Sequence, residues 1–324
     1  MSNIPKINHS DDVQKTFDSP LISSILEVLC YFDIFNYPMN LGEIKRYLPG
    51  LKHNSGDVEG LLEILLREKI IHQIGSFYSL QDNVGLIQER TESEIRAKKY
   101  MEKAIKNAQL IASFPYVEAV FISGSLSKGV IRADGDIDYF IITAPNRLWV
   151  CRSLLILYKK IFLFNSHKYF CLNYFIDSQH LEIEDKNIFT ATEIASLIPL
   201  KGNGIVKAFF DANQWVFSFL PNISFPESGH AQKVESNFLR RGVESILGNK
   251  LGDFLDKKSL GMTLTYWSKK FQNFDKQAFM LAFKSKSYIS KHHPGNFQEK
   301  VLMRFSNNYL KVIDQLKQST YAAK

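Results

Sequence analysis

The sequence predicts an α+β fold in which a small mixed β-sheet lies between two mainly helical regions. Three observations carry that expectation. Apolar residues recur at helical spacing from Leu21 onward, with Ile22, Ile25, Leu26, Leu29 and Phe32 on one face. Short runs rich in β-branched and aromatic residues (VEAVFISG, IDYFIIT, KYFCLNYFI) then interrupt the helical pattern. From Phe189 the pattern is helical again, with breaks near Gly248, Gly261 and His293–Gly295. With 45% hydrophobic and 23% charged residues, the 324-residue chain is composed like a globular protein of two or three domains and unlike a disordered one.

Residues 1–19 are polar and read as a flexible arm. The first helix ends in NYPMN, where Pro38 cannot continue it and Asn40 can cap LGEIKRYL. DVEGLLEILLREK places Val58, Leu61, Leu62, Leu65 and Leu66 on one face, and IIHQIGSFYSL reads as two strands joined around Gly75. Three helices followed by a hairpin is the layout of a winged helix-turn-helix, here spanning 20–84. Its charges argue against DNA as a partner. Between Pro20 and Leu80 seven acidic residues face five basic ones, and the third helix carries Asp57, Glu59, Glu63 and Glu68. An acidic recognition helix is repelled by phosphates. A protein-interaction or packing role fits the module better.

Residues 85–185 hold the strands. A helix over Gln88–Ala112 precedes VEAVFISG; IDYFIIT is closed by Pro145, and LWVCRSLLILYKKIFLF forms a crossover helix before KYFCLNYFI. HLEIE reads as a fourth strand, and 186–324 as a C-terminal helical region. From Ala231 to Lys324 seventeen Lys and Arg face seven Asp and Glu, so this region holds more than the whole net charge of +7. Such a surface suits a polyanion or is a solvated helical face. Cys30, Cys151 and Cys171 lie far apart in apolar runs, which favours buried thiols over a metal site or disulfides. The opening residues lack the apolar core of a signal peptide, and Trp149 to Phe164 is too short and too charged to span a bilayer. Both point to a cytoplasmic protein with no membrane partner.

One segment carries chemistry. VEAVFISG ends in Gly124-Ser125, and Asp136-Ile137-Asp138 opens the next strand. A glycine lets the backbone approach a phosphate, and Ser125 can donate to it through hydroxyl and amide. The short helix that follows would aim its N-terminus at the same anion. Asp136 and Asp138, two apart on a strand, face one side and repel unless a divalent cation joins them. Lys128 is either a phosphate contact or a surface lysine, and so, with less support, is Arg132. His292 and His293 read as a loop, and Arg240 and Arg241 as cover for a helix face.

With Ile122-Ser123-Gly124-Ser125 followed at this gap by Asp136-Ile137-Asp138-Tyr139, the segment resembles the DNA polymerase beta-like nucleotidyltransferase superfamily, over roughly residues 115–180. The winged-helix module ahead of it is similar to that of prokaryotic nucleotidyltransferase-domain proteins. The resemblance implies that Gly124 and Ser125 hold a triphosphate and that Asp136 and Asp138 bind Mg2+ or Mn2+. It further implies transfer of a nucleoside monophosphate from an NTP, ATP by default, to an acceptor that is a small molecule, a protein side chain or a nucleic-acid end. The family places a third carboxylate on a later strand, where this chain has Asn173. An amide cannot accept the proton as a base. Asp177, four residues on with the same strand parity, is the nearest substitute, followed by Glu182 and Glu184. The alternative is a catalytically impaired NTP-binding protein that signals through its winged helix.

Overall fold

The computed structural model describes residues 19–50, 55–164, 168–202, 204–226, 231–275, 279–280, 282–292 and 297–322. The expected arm, apart from Ser19, and the break at His293–Gly295 lie outside them. Among the described residues the chain is a mixed α+β protein with eleven α-helices and two sheets, of three and six strands. It divides into two compact units. One takes in the described residues up to Thr91, together with Val216–Ile223 and those from Gln298; the other comprises Glu92–Trp215 and Ser224–Phe297.

The first unit opens with α1 (Pro20–Asp33), where Ser19 accepts from the Leu21 amide and Pro20 occupies the first turn, which needs no amide donor. Its apolar residues are buried almost all round the helix. β1 (Met39–Asn40) leads into α2 (Leu41–Tyr47) through a capping box. Asn40 accepts from the Glu43 amide, and Glu43 accepts from the Asn40 amide. α3 (Ser55–Arg67), β2 (His72–Ile74) and β3 (Phe77–Ser79) follow, with Gly75 at φ +61° in the hairpin turn. The small sheet is antiparallel, in the order β1-β3-β2. Buried Arg90, on α4 (Val84–Ala112), clamps the unit. It donates to the Pro38 carbonyl at 2.8 Å and to Glu43 at 2.6 Å, and lies 3.8 Å over the Tyr37 ring.

The second unit is built on β4 (Val117–Ser123), β5 (Asp138–Thr143) and β6 (Cys171–Asp177), with the one-turn helix α5 (Gly124–Ser127) after β4 and the crossover helix α6 (Leu148–Phe162) before β6. Then come α7 (Ile188–Ser196), β7 (Ile198–Lys201), α8 (Gly204–Ala212), α9 (Phe238–Leu247), α10 (Lys250–Lys270), β8 (Ser285–Lys286) and β9 (Ile289–Lys291). The sheet order is β7-β4-β5-β6-β9-β8, and the β5–β6 pair, which needs the α6 crossover, is parallel. The two faces of β5 bury different cores. Tyr139 and Ile141 pack in the cluster that holds Ala104, Ala108, Trp149 and Leu155. Phe140 meets the rings of Phe121, Tyr174 and Phe209. α11 (Phe297–Ala322) closes the chain, and its Phe305 ring meets Tyr31 of α1 within the first unit.

Three sequence expectations need correction. The long helix begins at Val84, not at Gln88. HLEIE forms no strand: its backbone is drawn off to the buried side chain of Asn213, which accepts from the Ile183 amide and donates to the Leu181 carbonyl. The C-terminal region is not purely helical, because β7, β8 and β9 complete the sheet. A boundary at 185 therefore cuts through the second unit. These strands are two to four residues long and show no alternation of their own.

Candidate functional site

The Gly-Ser turn and the two aspartates meet at one end of the β4–β5 pair. Antiparallel pairing sets Ser123 opposite Asp138, and the parallel β6 sets Cys171 opposite Asp138 on the other side. The chain leaves β4 at Gly124 with φ +68°, a left-handed conformation that disfavours side chains. A Cβ at this position would collide with the Asp138 carboxylate. Residue 124 must be glycine because the acid occupies the space a side chain would fill.

The loop that follows is held at several points. Ser127 donates to the Gly124 carbonyl at 2.8 Å, the Lys128 and Val130 amides donate to Ser125, and Gly129 turns at φ +76°. Arg96 donates to the Ile131 carbonyl at 3.1 Å. The Ile137 amide reaches Lys168, and its carbonyl accepts from Cys171. Asp136 is half-buried on this frame, and the Ser125 side chain is exposed. The sequence-derived set Gly124, Ser125, Asp136 and Asp138 is thus brought together.

Lys128 sits at this turn and is bonded within the protein. Its ammonium donates to the Gly124 carbonyl at 3.2 Å and pairs with Glu193 of α7 at 2.8 Å, bracing the turn. Burial, above all, pushes Asp138 up to about 7. The Asp136 and Glu193 carboxylates push the same way, against a Cys171 hydrogen bond and the charge of Lys128. Buried Lys159 of α6 senses Cys171 and Asp136 as well, and burial lowers its pKa. Sequence reasoning missed both Glu193 and Lys159. The available signal was charge in an otherwise apolar helix, Glu193 in ATEIAS and the Lys159-Lys160 pair in LLILYKKIF.

Asn173 donates from its side-chain amide to Asp138, and its own oxygen accepts from the Cys171 thiol at 3.0 Å. Asp177 does not join them, which corrects its assignment. It pairs with Thr143 at the opposite end of β5–β6, six residues from Cys171 and so about 20 Å away. There it is buried, accepts from the Gln179 amide at 3.1 Å and sits 2.7 Å from His180 Nδ1, as a turn-forming acid does. Glu182 pairs with Lys186, and Glu184 with Lys284 and Lys286. Arg132 meets Asp134 in solvent, and Arg240 is bonded to Glu244 and the Ala112 carbonyl. The His292 amide donates to the Asn173 carbonyl while its ring packs on Trp267; His293 lies outside the described residues.

Among the described residues no group of three or more His, Cys, Asp or Glu gathers as a metal cluster. The residues able to hold a cation here are Asp136 and Asp138. Two hard carboxylates do not suffice for a closed all-protein site, but they match Mg2+ or Mn2+ arriving with substrate phosphates. Glycine at 124 leaves room for the Asp138 carboxylate beside the turn. Compared with models of known families, with curated proteins and with solved structures, the chain matches none.

Proposed function

We propose that this chain binds a nucleoside triphosphate with Mg2+ at the Gly124–Asp138 junction and transfers its nucleoside monophosphate to an acceptor hydroxyl. The observation that supports the reading is the Asp138 carboxylate seated in the notch beside Gly124, with Asp136 next to it and the acid pushed up to about 7. Like charges held this close favour a bound cation, and the turn beside them offers the Ser125 amide and hydroxyl to a phosphate. Magnesium, when bound there, would stabilise the charge on the attacking and leaving oxygens of an in-line displacement. The protein's part is positional. Asn173 orients Asp138, Lys128 and Glu193 brace the phosphate turn, and Gly124 permits the close approach.

A second reading rests on Asn173. The side chain that meets Asp138 from β6 is an amide, and the nearest acid on that strand lies at its far end. A domain built this way binds Mg–NTP without a β6 carboxylate to receive the acceptor's proton. The first unit, with helix and strand order α1-β1-α2-α3-β2-β3, supports a winged-helix reading in either case. The exposed Asp57, Glu59 and Glu63 on α3 favour a protein partner over DNA.

Pyrophosphate release measured with each NTP and Mg2+ separates the two readings. Transfer predicts release that Asp138→Asn reduces to background; activity retained in that variant sinks the assignment. Binding alone predicts an NTP- and Mg2+-dependent rise in melting temperature with no pyrophosphate.

A further inference from the structure

α9 is strongly amphipathic by sequence, FLRRGVESIL, yet none of its residues is buried. Its Phe238, Leu239 and Ile246 side chains are 82%, 76% and 64% exposed. An amphipathic helix gains its stability by covering its apolar face; here Leu247 packs on the core, but most of that face is left in water. The neighbouring α10 is not amphipathic over its whole length, but it too leaves apolar side chains exposed. Leu251, Phe254, Met262 and Tyr266 are all about half exposed or more and share one side of the helix, away from the buried Gly252, Asp256 and Trp267. Lys258 and Lys269 fall on the same stripe.

The charge on these two helices is sorted. Their three acids are bonded to groups elsewhere in the unit: Glu244 to the Tyr116 amide at 2.8 Å, Asp253 to Arg147 at 2.6 Å, and Asp256 to the Val150 amide at 2.9 Å. Arg241, Lys250, Lys258 and Lys269 are exposed. Apart from Asp253, which is half exposed but paired with Arg147, the charged groups that face water here are cations beside apolar side chains, on helices in mutual contact.

We propose that the α9–α10 face docks on an anionic phospholipid surface, lying in the interface and not crossing it. Among the described residues no helix is long and apolar enough to cross a bilayer. Headgroup phosphates take the lysines and arginine, and the acyl boundary takes the apolar groups between them, so one surface satisfies both. Charge disfavours a second copy, because a self-complementary contact sets these cations against one another. Nucleic acid would satisfy the cations but leave aliphatic Leu239, Ile246, Leu251 and Met262 uncovered, since base stacking uses aromatic faces. The sequence alone pointed away from a membrane because each apolar stretch is too short to span one.

The test is flotation of the full chain with vesicles of phosphatidylcholine alone and of phosphatidylcholine mixed with phosphatidylserine. The expected result is flotation with the anionic vesicles only, weakened by added salt. Lys258→Glu with Lys269→Glu should weaken binding by about tenfold or more. Leu239→Ser with Phe254→Ser should do the same while leaving the charge intact. These side chains are exposed, and an unchanged melting temperature confirms that each variant folds. Three outcomes would overturn the proposal: no flotation with anionic vesicles, equal flotation with neutral ones, or variants that bind as the parent does. Self-association abolished by Leu239→Ser, or tighter binding to a single-stranded oligonucleotide than to vesicles, would also overturn it by giving the face another occupant.

Discussion

The two ends of the β5–β6 pair each collect three acids and treat them in opposite ways. At the far end, around the β8–β9 hairpin, Asp177 meets His180, whose ring stacks on Tyr288 with centroids 4.0 Å apart. Glu184 accepts from Lys284, Tyr288 and Lys286, which pull it down to about 2. Asp185 is held below its usual range by Lys284 and Lys291 in spite of burial. At the near end Asp136, Asp138 and Glu193 share Lys128 and the buried Lys159, and Asp138 is driven upward. Acids neutralised by their own chain stabilise the fold. Acids left short of cations in a cradle are in place for one supplied from outside. That contrast, rather than the number of acids, supports the proposal of chemistry at the near end and marks the far end as architecture.

Five measurements bear on the contrast, taken here from the largest expected effect to the smallest. Asp138→Asn should lower pyrophosphate release by more than about a hundredfold, beyond the loss of an outer-shell partner. Asp177→Ala should instead cost about 1–3 kcal/mol of stability, because it removes the charged acceptor that the Gln179 amide and His180 meet. Chemical denaturation would show this, while the Mg–NTP melting shift persists in the variant. The contrast breaks if Asp177→Ala stops turnover without changing stability. Gly124→Ala should cost about 1–2 kcal/mol from its left-handed backbone. Because its methyl group also displaces the Asp138 carboxylate, the Mg–NTP shift should disappear with it.

The fourth measurement uses pH, with a chelator present so that no cation masks the near end. Asp138 is raised in the fold from an ordinary value of 3.8 to about 7. Its contribution is present below about pH 4 and is lost as pH rises through about 7. Glu184 is lowered from 4.5 to about 2, so its contribution is present above about pH 4.5 and is lost as pH falls through about 2. Relative to the parent, Asp138→Asn should therefore gain stability as pH rises from 4 towards 8. Glu184→Gln should lose least at the acid extreme. Denaturation curves across pH that slope the same way for both variants would contradict the opposition. Last, Lys286→Ala removes a half-exposed partner of Glu184 and should cost at most about 1 kcal/mol.

Much of the near end was legible in the sequence because its parts are close along the chain. Gly124 to Asp138 spans one turn and two strand ends, so spacing alone brought the residues to one place. Lys128 was visible, but its partner was not, since Glu193 lies sixty-five residues later. Asp177 was misplaced for a related reason. Strand parity tells which face a residue shares but not how far along the sheet it sits, and β6 is long enough to carry it to the other end. The missed strands follow the same logic, because two to four residues carry too little pattern to reveal a pairing partner.

By itself the sequence determined the local units: the capped helices, the hairpin at Gly75, the glycine turn and the paired aspartates. Each depends on sterics or on hydrogen bonds within a few residues, as in the Asn40–Glu43 box. Only the tertiary structure decided which acids share a site and which are neutralised. It gave Lys128 to Glu193, sent Asp177 to the far end, and gathered three lysines around Glu184 and Asp185. The physical reason is that a carboxylate's state follows from its burial and from charges a few ångströms away, whatever their distance along the chain.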